Sequence, residues 1–200
     1  MIHLTTRNVI LMGCCFVAGV LLASQTSNAD PVTFSFTGTG TGAVGGNSFT
    51  NALFDISIMG DTNNSMPVPG FPNSTRVLSN SATVTINGTV SQIIPQLSVF
   101  SNTGGFVGLA LPPSTDLILG PSDPAFAPWD LTTSIGPITG EASFSNWSSV
   151  TIGTSNGNLV FDDDDIETTF TAVVTPVPEP GFVSGLLLFA ATGALRRRRS

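Results

Sequence analysis

Four adjacent aspartates, Asp162 to Asp165, are the densest group of chemistry-bearing side chains in this 200-residue chain. Carboxylate oxygens are the ligands that Ca²⁺ prefers, and the ion collects several of them in flexible loops. Alternate residues of an extended run point to opposite sides, so the four cannot all converge on one ion. The run also lacks the spacing of an EF-hand loop. It predicts either a weak Ca²⁺ site or a solvated acidic turn that prevents sheet edges from pairing.

Catalysis is limited by side chains that the segment from Asp30 to Thr175 lacks. It contains no His, Cys, Lys or Tyr. A Ser-His-Asp triad, a Cys-His dyad, a Ser-Lys pair and a His/Cys zinc site are therefore excluded within it. A glycosidase needs only two carboxyl groups across a cleft, and Asp116, Asp130 and Glu141 are the candidates for such a pair. We expect the protein not to be an enzyme and to hold no cofactor apart from the Ca²⁺ that the aspartate run could bind.

The same segment is strongly acidic, with twelve Asp and Glu side chains against Arg76 alone, a net charge of −11. This balance argues against nucleic acid and anionic membranes as partners, and it favours solubility or screening by divalent cations. Both cysteines, Cys14 and Cys15, precede the segment, so it contains no disulfide. A domain of this length must therefore be stabilised by its hydrophobic core.

The elements that must position these side chains are predicted to be β-strands. Apolar residues alternate with polar ones in several windows, which is the period of a half-buried strand. Such windows lie at residues 32–36, 54–58, 82–86 and 166–174, and the apolar run 106–111 predicts a further strand. Asn87-Gly88 and Asn156-Gly157 predict tight hairpins. The Gly/Thr-rich run 37–46 is predicted to be a turn region, and Asp61 to Asn73 a long loop.

No window of this segment gives a convincing helical period, so there is no pattern of strands alternating with helices. The sheets should therefore be antiparallel. Nine or ten strands over this length predict an all-β fold, a single antiparallel β-sandwich or jelly-roll-like domain.

The C-terminal segment combines three features in order. Pro178, Glu179 and Pro180 form an extended, exposed tripeptide, because proline fixes φ and lacks a backbone donor. The apolar run Gly181 to Leu195 follows, and as a helix it would span about 22 Å, less than the ~30 Å bilayer core. Four arginines, Arg196, Arg197, Arg198 and Arg199, come last and should stay on the cytoplasmic side. The segment predicts a short transmembrane tail anchor.

This order of features resembles the PEP-CTERM sorting signal of bacterial envelope proteins, also called the ice-binding protein C-terminal domain. The resemblance implies that an exosortase, a membrane-embedded cysteine transpeptidase, recognises Pro178, Glu179 and Pro180 and cleaves nearby. It implies an inner-membrane stage through the apolar helix, followed by release or transfer to the cell surface and the exopolysaccharide. Residues 32–61 are also similar to the N-terminal part of small uncharacterised PEP-CTERM proteins, to which no activity is attached.

The N-terminal segment predicts a secretory signal peptide. His3 and Arg7 precede the apolar run Val9 to Ala23, and small residues lead to a cleavage site between Ala29 and Asp30. Signal peptidase is therefore a predicted processing partner. The alternative is a lipoprotein box ending at Cys14, for which the apolar region would be very short.

These observations divide the chain into a signal peptide (1–29), a β-sandwich domain (30–175) and a sorting signal (176–200). We expect an exported, non-enzymatic protein that is a structural or adhesive component of the cell envelope or exopolysaccharide matrix. One alternative is a Ca²⁺-dependent carbohydrate-binding module that uses Asp162 to Asp165 and an exposed Trp129 or Trp147. A more remote alternative is the carboxylate-based glycosidase.

Overall fold

The computed structural model describes residues 30–113 and 115–177, without the side chain of Ser148. Thirteen strands make up most of this part of the chain: β1 (Pro31–Val44), β2 (Asn47–Asp61), β3 (Met66–Val68), β4 (Phe71–Leu78), β5 (Ser81–Ile86), β6 (Thr89–Ile93), β7 (Ser98–Asn102), β8 (Phe106–Leu111), β9 (Thr115–Ser122), β10 (Ile135–Ser143), β11 (Ile152–Thr154), β12 (Gly157–Phe161) and β13 (Asp165–Val174). Short 3₁₀ turns lie at Thr62–Asn64, Pro124–Phe126 and Trp147–Ser149.

The strands form one continuous sheet, and the pairings between them are antiparallel. Their order is β12-β11-β6-β5-β2-β1-β13-β10-β9-β8-β7-β4-β3. The C-terminal end of β1 also pairs with β12, so β1, β2, β5, β6, β11 and β12 close into a ring. Buried side chains from β12, at one end of this order, and from β4, next to the other end, belong to one hydrophobic cluster. The predicted all-β, antiparallel fold is confirmed.

Strand β1 joins the ring of six strands to the rest of the sheet. It pairs with β2 along one edge, and with β13 and β12 along the other. Its first residues alternate as predicted, and Val32, Phe34 and Phe36 are fully buried. The Gly/Thr run that follows is not the predicted turn region, since β1 continues to Val44 and turns only at Gly45-Gly46.

Glycine occupies the inward positions of this second half of β1, at Gly38, Gly40 and Gly42. A Cβ at Gly38 would lie 2.9 Å from the Phe54 ring, and one at Gly40 would lie 3.2 Å from the Phe161 ring. The run is therefore a strand with threonine outside and glycine inside, and the glycines make room for aromatic rings.

Aromatic side chains form the centre of the core. The Phe170 ring on β13 lies 4.9 Å from that of Phe36, 5.6 Å from that of Phe126 and 5.7 Å from that of Trp129, measured between centroids. A second group joins Phe54, Phe144, Trp147 and Phe161, with centroids 5.1–6.0 Å apart. Such tilted and edge-to-face pairs stabilise a core beyond the area that they bury.

The two predicted hairpins are present. Asn87 and Gly88 both have positive φ, 47° and 83°, as a type I′ turn between β5 and β6 requires. Asn156-Gly157 joins β11 to β12. The predicted long loop from Asp61 to Asn73 is instead interrupted by β3 and by the start of β4. Pro67 is tolerated in β3 because that strand lies at the sheet edge.

The first and last strands lie side by side. Val32 pairs with Val174, and the Thr175 amide donates to the Pro31 carbonyl over 2.9 Å. The two ends of the described domain therefore leave it at the same place.

Replacing Phe170 with alanine should lower the free energy of unfolding by about 3–5 kcal/mol, because it leaves a cavity among four aromatic rings. Urea unfolding of the full-length chain measures the change. Val173→Ala, on the same strand but 51% exposed, is the control and should cost less than about 1 kcal/mol. Equal losses would show that Phe170 is not central to the core.

Candidate functional site

The four aspartates form the connection between β12 and β13, and each of them makes different contacts. The Asp162 amide donates to the Thr41 carbonyl over 2.9 Å, and the Asp163 carboxylate accepts from the Thr41 amide. The Asp164 carbonyl accepts from the Phe144 amide over 2.6 Å. Asp165 begins β13. The run is thus a connection whose backbone is held by β1 and by the end of β10.

The carboxylates do not gather around one point. Asp162, Asp164 and Asp165 are exposed, whereas Asp163 is half-buried against β1. Among the described residues, no three His, Cys, Asp or Glu side chains form a group that could hold a metal ion. The Ca²⁺ site remains a prediction that no contact in the described residues supports.

Both tryptophans belong to the core. Trp147 is fully buried, and Trp129 is 8% exposed and donates through Nε1 to the Thr133 carbonyl over 2.9 Å. Neither presents a ring face to solvent. The exposed tryptophan that the carbohydrate-binding alternative requires is therefore missing, because the sandwich-like core needs both rings for its own packing.

The three carboxyl groups considered for a glycosidase lie on different elements. Asp130 follows the Pro124–Phe126 turn. Its carboxylate accepts a 2.6 Å hydrogen bond from the Thr132 hydroxyl, and this bond holds the pKa of Asp130 below its ordinary value. Asp116 lies on β9, where burial raises its pKa. Glu141 lies on β10 opposite Glu167 of β13. Of the three, Asp116 lines a cavity that is described below.

A polar face covers the outside of the sheet around β1. Thr37 stands between Thr169 of β13 and Asp55 of β2, and the hydroxyls of Thr169 and Thr139 are 2.7 Å apart. Asp55 is the one acid in this row, its Oδ1 is buried without a hydrogen-bond partner, and burial raises its pKa. Cross-strand threonine pairs stabilise sheets in general, so this face needs no ligand to explain it.

A cavity that the sequence did not predict lies on the outer face of β4, β7, β8 and β9. Its volume is about 240 Å³, and its lining includes Arg76, Phe71, Phe100 and Asp116. Arg76 is the only Lys or Arg of residues 30–177. This lone arginine was the one feature of the sequence that pointed to the cavity. The residues next to it in the sequence do not indicate which strands surround it.

The predicted sorting residues lie outside the described part of the chain. These are Ala29, Pro178, Glu179, Pro180 and Arg196 to Arg199. Asp30, the first described residue, accepts through its carbonyl from the Thr62 amide over 3.1 Å. Within the described ranges, no helix has the length and hydropathy needed to cross a membrane.

Comparison with protein-family models, with curated proteins and with solved structures found no match to this chain. Its function is therefore inferred from the residues and their geometry.

Asp163→Ala should lower the free energy of unfolding by about 1–2 kcal/mol, because the Thr41 amide loses its carboxylate acceptor. Asp164→Ala, in which only an exposed carboxylate is lost, should change it by less than about 0.5 kcal/mol. Thermal melts of the full-length chain in chelator measure both changes. Equal effects of the two variants would contradict the role given to the Asp163 carboxylate.

Repeating the melts in Ca²⁺ tests the predicted metal site. That prediction requires a rise in Tm that Asp163→Asn removes.

Asp55→Asn should stabilise the protein at neutral pH. Burial raises the folded-state pKa of Asp55 above its ordinary 3.8, so the wild-type chain loses stability as pH rises from that value through the folded pKa. The advantage of the variant should therefore shrink as pH falls from the folded pKa towards 3.8, and it should vanish at lower pH, where Asp55 is protonated in both states. Urea unfolding between pH 3 and pH 7 measures it, with the exposed Asp164→Asn as control. A gain that grows at low pH would contradict the prediction.

Proposed function

We propose that this chain is a non-enzymatic exported protein that serves as a structural or adhesive component of the cell surface or its exopolysaccharide matrix. It is held in the inner membrane by its C-terminal tail and then processed there. Signal peptidase and an exosortase are the processing partners. The tail residues Pro178, Glu179 and Pro180 support this proposal through their resemblance to a sorting signal, together with the apolar run and the arginines that follow.

The position of β13 is the structural observation that supports anchoring. This strand leads to the tail, since Val174 ends it four residues before Pro178. It is central in the sheet, paired with β1 along residues 32–38 and with β10 along residues 135–143. A pull directed along β13 would load the hydrogen bonds of both neighbours together, because ladder bonds are perpendicular to the strands. This geometry suits a domain that is held by its C-terminal end.

The composition of the domain supports a passive role. Its charge of −11 favours solubility and disfavours nucleic acid and anionic membranes as partners. Ser and Thr side chains give the outer sheet face a hydroxyl-bearing surface, as at Thr37, Thr139 and Thr169. Neither the calcium-dependent carbohydrate module nor the glycosidase is favoured by a contact among the described residues.

The tail proposal predicts a sorting defect. In a host that makes an exosortase, the full-length wild-type chain should reach the surface or medium with a shortened C-terminus. A variant with Pro178→Ala, Glu179→Ala and Pro180→Ala should stay uncut in the inner membrane. Cell fractionation with antiserum to the domain, followed by intact-mass measurement, checks both.

Two controls separate this result from a general export failure. Asp164→Asn changes an exposed carboxylate away from the tail and should be sorted as the wild type is. A host without exosortase should retain the wild-type chain uncut. Equal processing of the wild type and the triple variant would refute the proposal.

A further inference from the structure

The cavity on the outer face of β4, β7, β8 and β9 is formed by a second layer of buried side chains. Val77, Val99 and Leu109 point inward to the core cluster. Phe100 and Ala110, on the opposite face of β7 and β8, are 8% and 7% exposed but do not belong to that cluster. The sheet therefore buries apolar surface on both faces here, although only one face covers the core.

The floor of this cavity depends on Gly108. In the β7–β8 pairing, Gly108 stands directly opposite Phe100. A Cβ at Gly108 would collide with the Phe100 ring and lie 2.5 Å from the Ile118 carbonyl oxygen. The ring thus lies across the glycine backbone and lines the cavity as an apolar floor. Phe71 and Leu119, 55% and 41% exposed, add accessible apolar surface to the lining.

Arg76 brings a positive charge into this apolar lining. It pairs in register with Phe100 on one side and with Met66 on the other. Its Nε is buried without a hydrogen-bond partner, and no carboxylate of the described residues forms an ion pair with it. Residues 30–175 contain twelve Asp and Glu side chains, yet none of these forms an ion pair with Arg76. A partly buried, unpaired cation is unfavourable, and an incoming carboxylate would relieve that cost.

Asp116 lies across the cavity from Arg76. Strands β4 and β9 are separated by β7 and β8, which places their backbones about 14 Å apart at normal strand spacing. Arg76 and Asp116 therefore line one cavity without meeting. Asp116, whose pKa burial raises, offers a hydrogen-bonding group to the far end of a ligand.

We propose that this cavity binds a ligand of one ring that carries a carboxylate for Arg76, packs against Phe71 and Phe100, and directs a hydroxyl or amine towards Asp116. The volume of about 240 Å³ is below the roughly 300 Å³ at which sites for drug-sized ligands begin, which limits the ligand to about one ring. A small inorganic anion would leave the apolar walls uncovered, and a cation would be repelled by Arg76. This inference does not depend on how the chain is sorted.

Two classes of compound fit this description, sugar acids and aromatic acids. Ligand-observed NMR titration of the full-length chain in mild detergent, with D-glucuronate and with 4-hydroxybenzoate, distinguishes them. Each is compared with a partner that lacks the carboxylate, D-glucose and 4-hydroxybenzamide. At least one acid should bind about tenfold or more tightly than its uncharged partner, because only the acid pairs with Arg76.

Variants locate the binding. Arg76→Gln should weaken binding of the acid about tenfold or more, and Arg76→Lys should retain part of it. Leu119→Trp should block binding by filling the cavity while leaving Arg76 in place. Phe71→Ala should weaken binding, whereas Phe106→Ala is the control, because Phe106 is 39% exposed on the same sheet face but does not line the cavity.

Three results would overturn the proposal. One is that neither acid binds below roughly 10 mM, weaker than the range in which specific sites operate. Another is that an uncharged partner binds as tightly as its acid. The third is that Leu119→Trp, with an unchanged melting temperature, still binds. The Leu119→Trp arm decides the matter if Arg76→Gln fails to fold.

Discussion

The fold depends on aromatic rings that occupy the space left by glycines on the inner face of β1. Phe34 and Phe36 supply rings from the first half of this strand, and Gly38, Gly40 and Gly42 receive the rings of Phe54, Phe161 and Phe49 along the second half. A Cβ at Gly42 would collide with the Val160 carbonyl of β12, and a Cβ at Gly38 or Gly40 would press on the ring of Phe54 or Phe161. The pairing of β1 with β12, which closes six strands into a ring, therefore requires that position 42 carries no side chain.

The charged side chains, unlike the aromatic rings, lie on the outer face of the sheet and in loops. The aspartate run has its backbone tied to β1 and β10, while three of its four side chains face solvent. Arg76, the one Lys or Arg of the described residues, is on the outer sheet face and pairs in register with Phe100. A domain with so few ionic contacts must obtain its stability from packing, and the connected aromatic clusters supply it.

The sequence was informative wherever the signal was local. Alternation in β1, β2 and β13 and the Asn-Gly turns predicted strands and hairpins that the structure contains. It failed at the Gly/Thr run, because glycine is read as a turn former unless the rings that pack over it are known. Those rings come from β2 and β12, and only the folded chain brings them to β1. The candidate cavity was beyond prediction for the same reason, since Arg76, Phe100 and Asp116 are on three strands. The aspartate run shows the converse limit, because composition does not tell which carboxylate faces a backbone amide, as that of Asp163 does.

The pairing of β1 with β13 has a consequence for the order of folding. Thr37 and Thr169, which are hydrogen-bonded, are 132 residues apart, so the central ladder cannot form until nearly the whole domain has been synthesised. Contacts of such high sequence separation slow folding. A nascent chain that lacks β13 also leaves β1 and β10 with unpaired edges. The topology thus delays completion of the sheet until β13 is available, and late completion is compatible with the export proposed above.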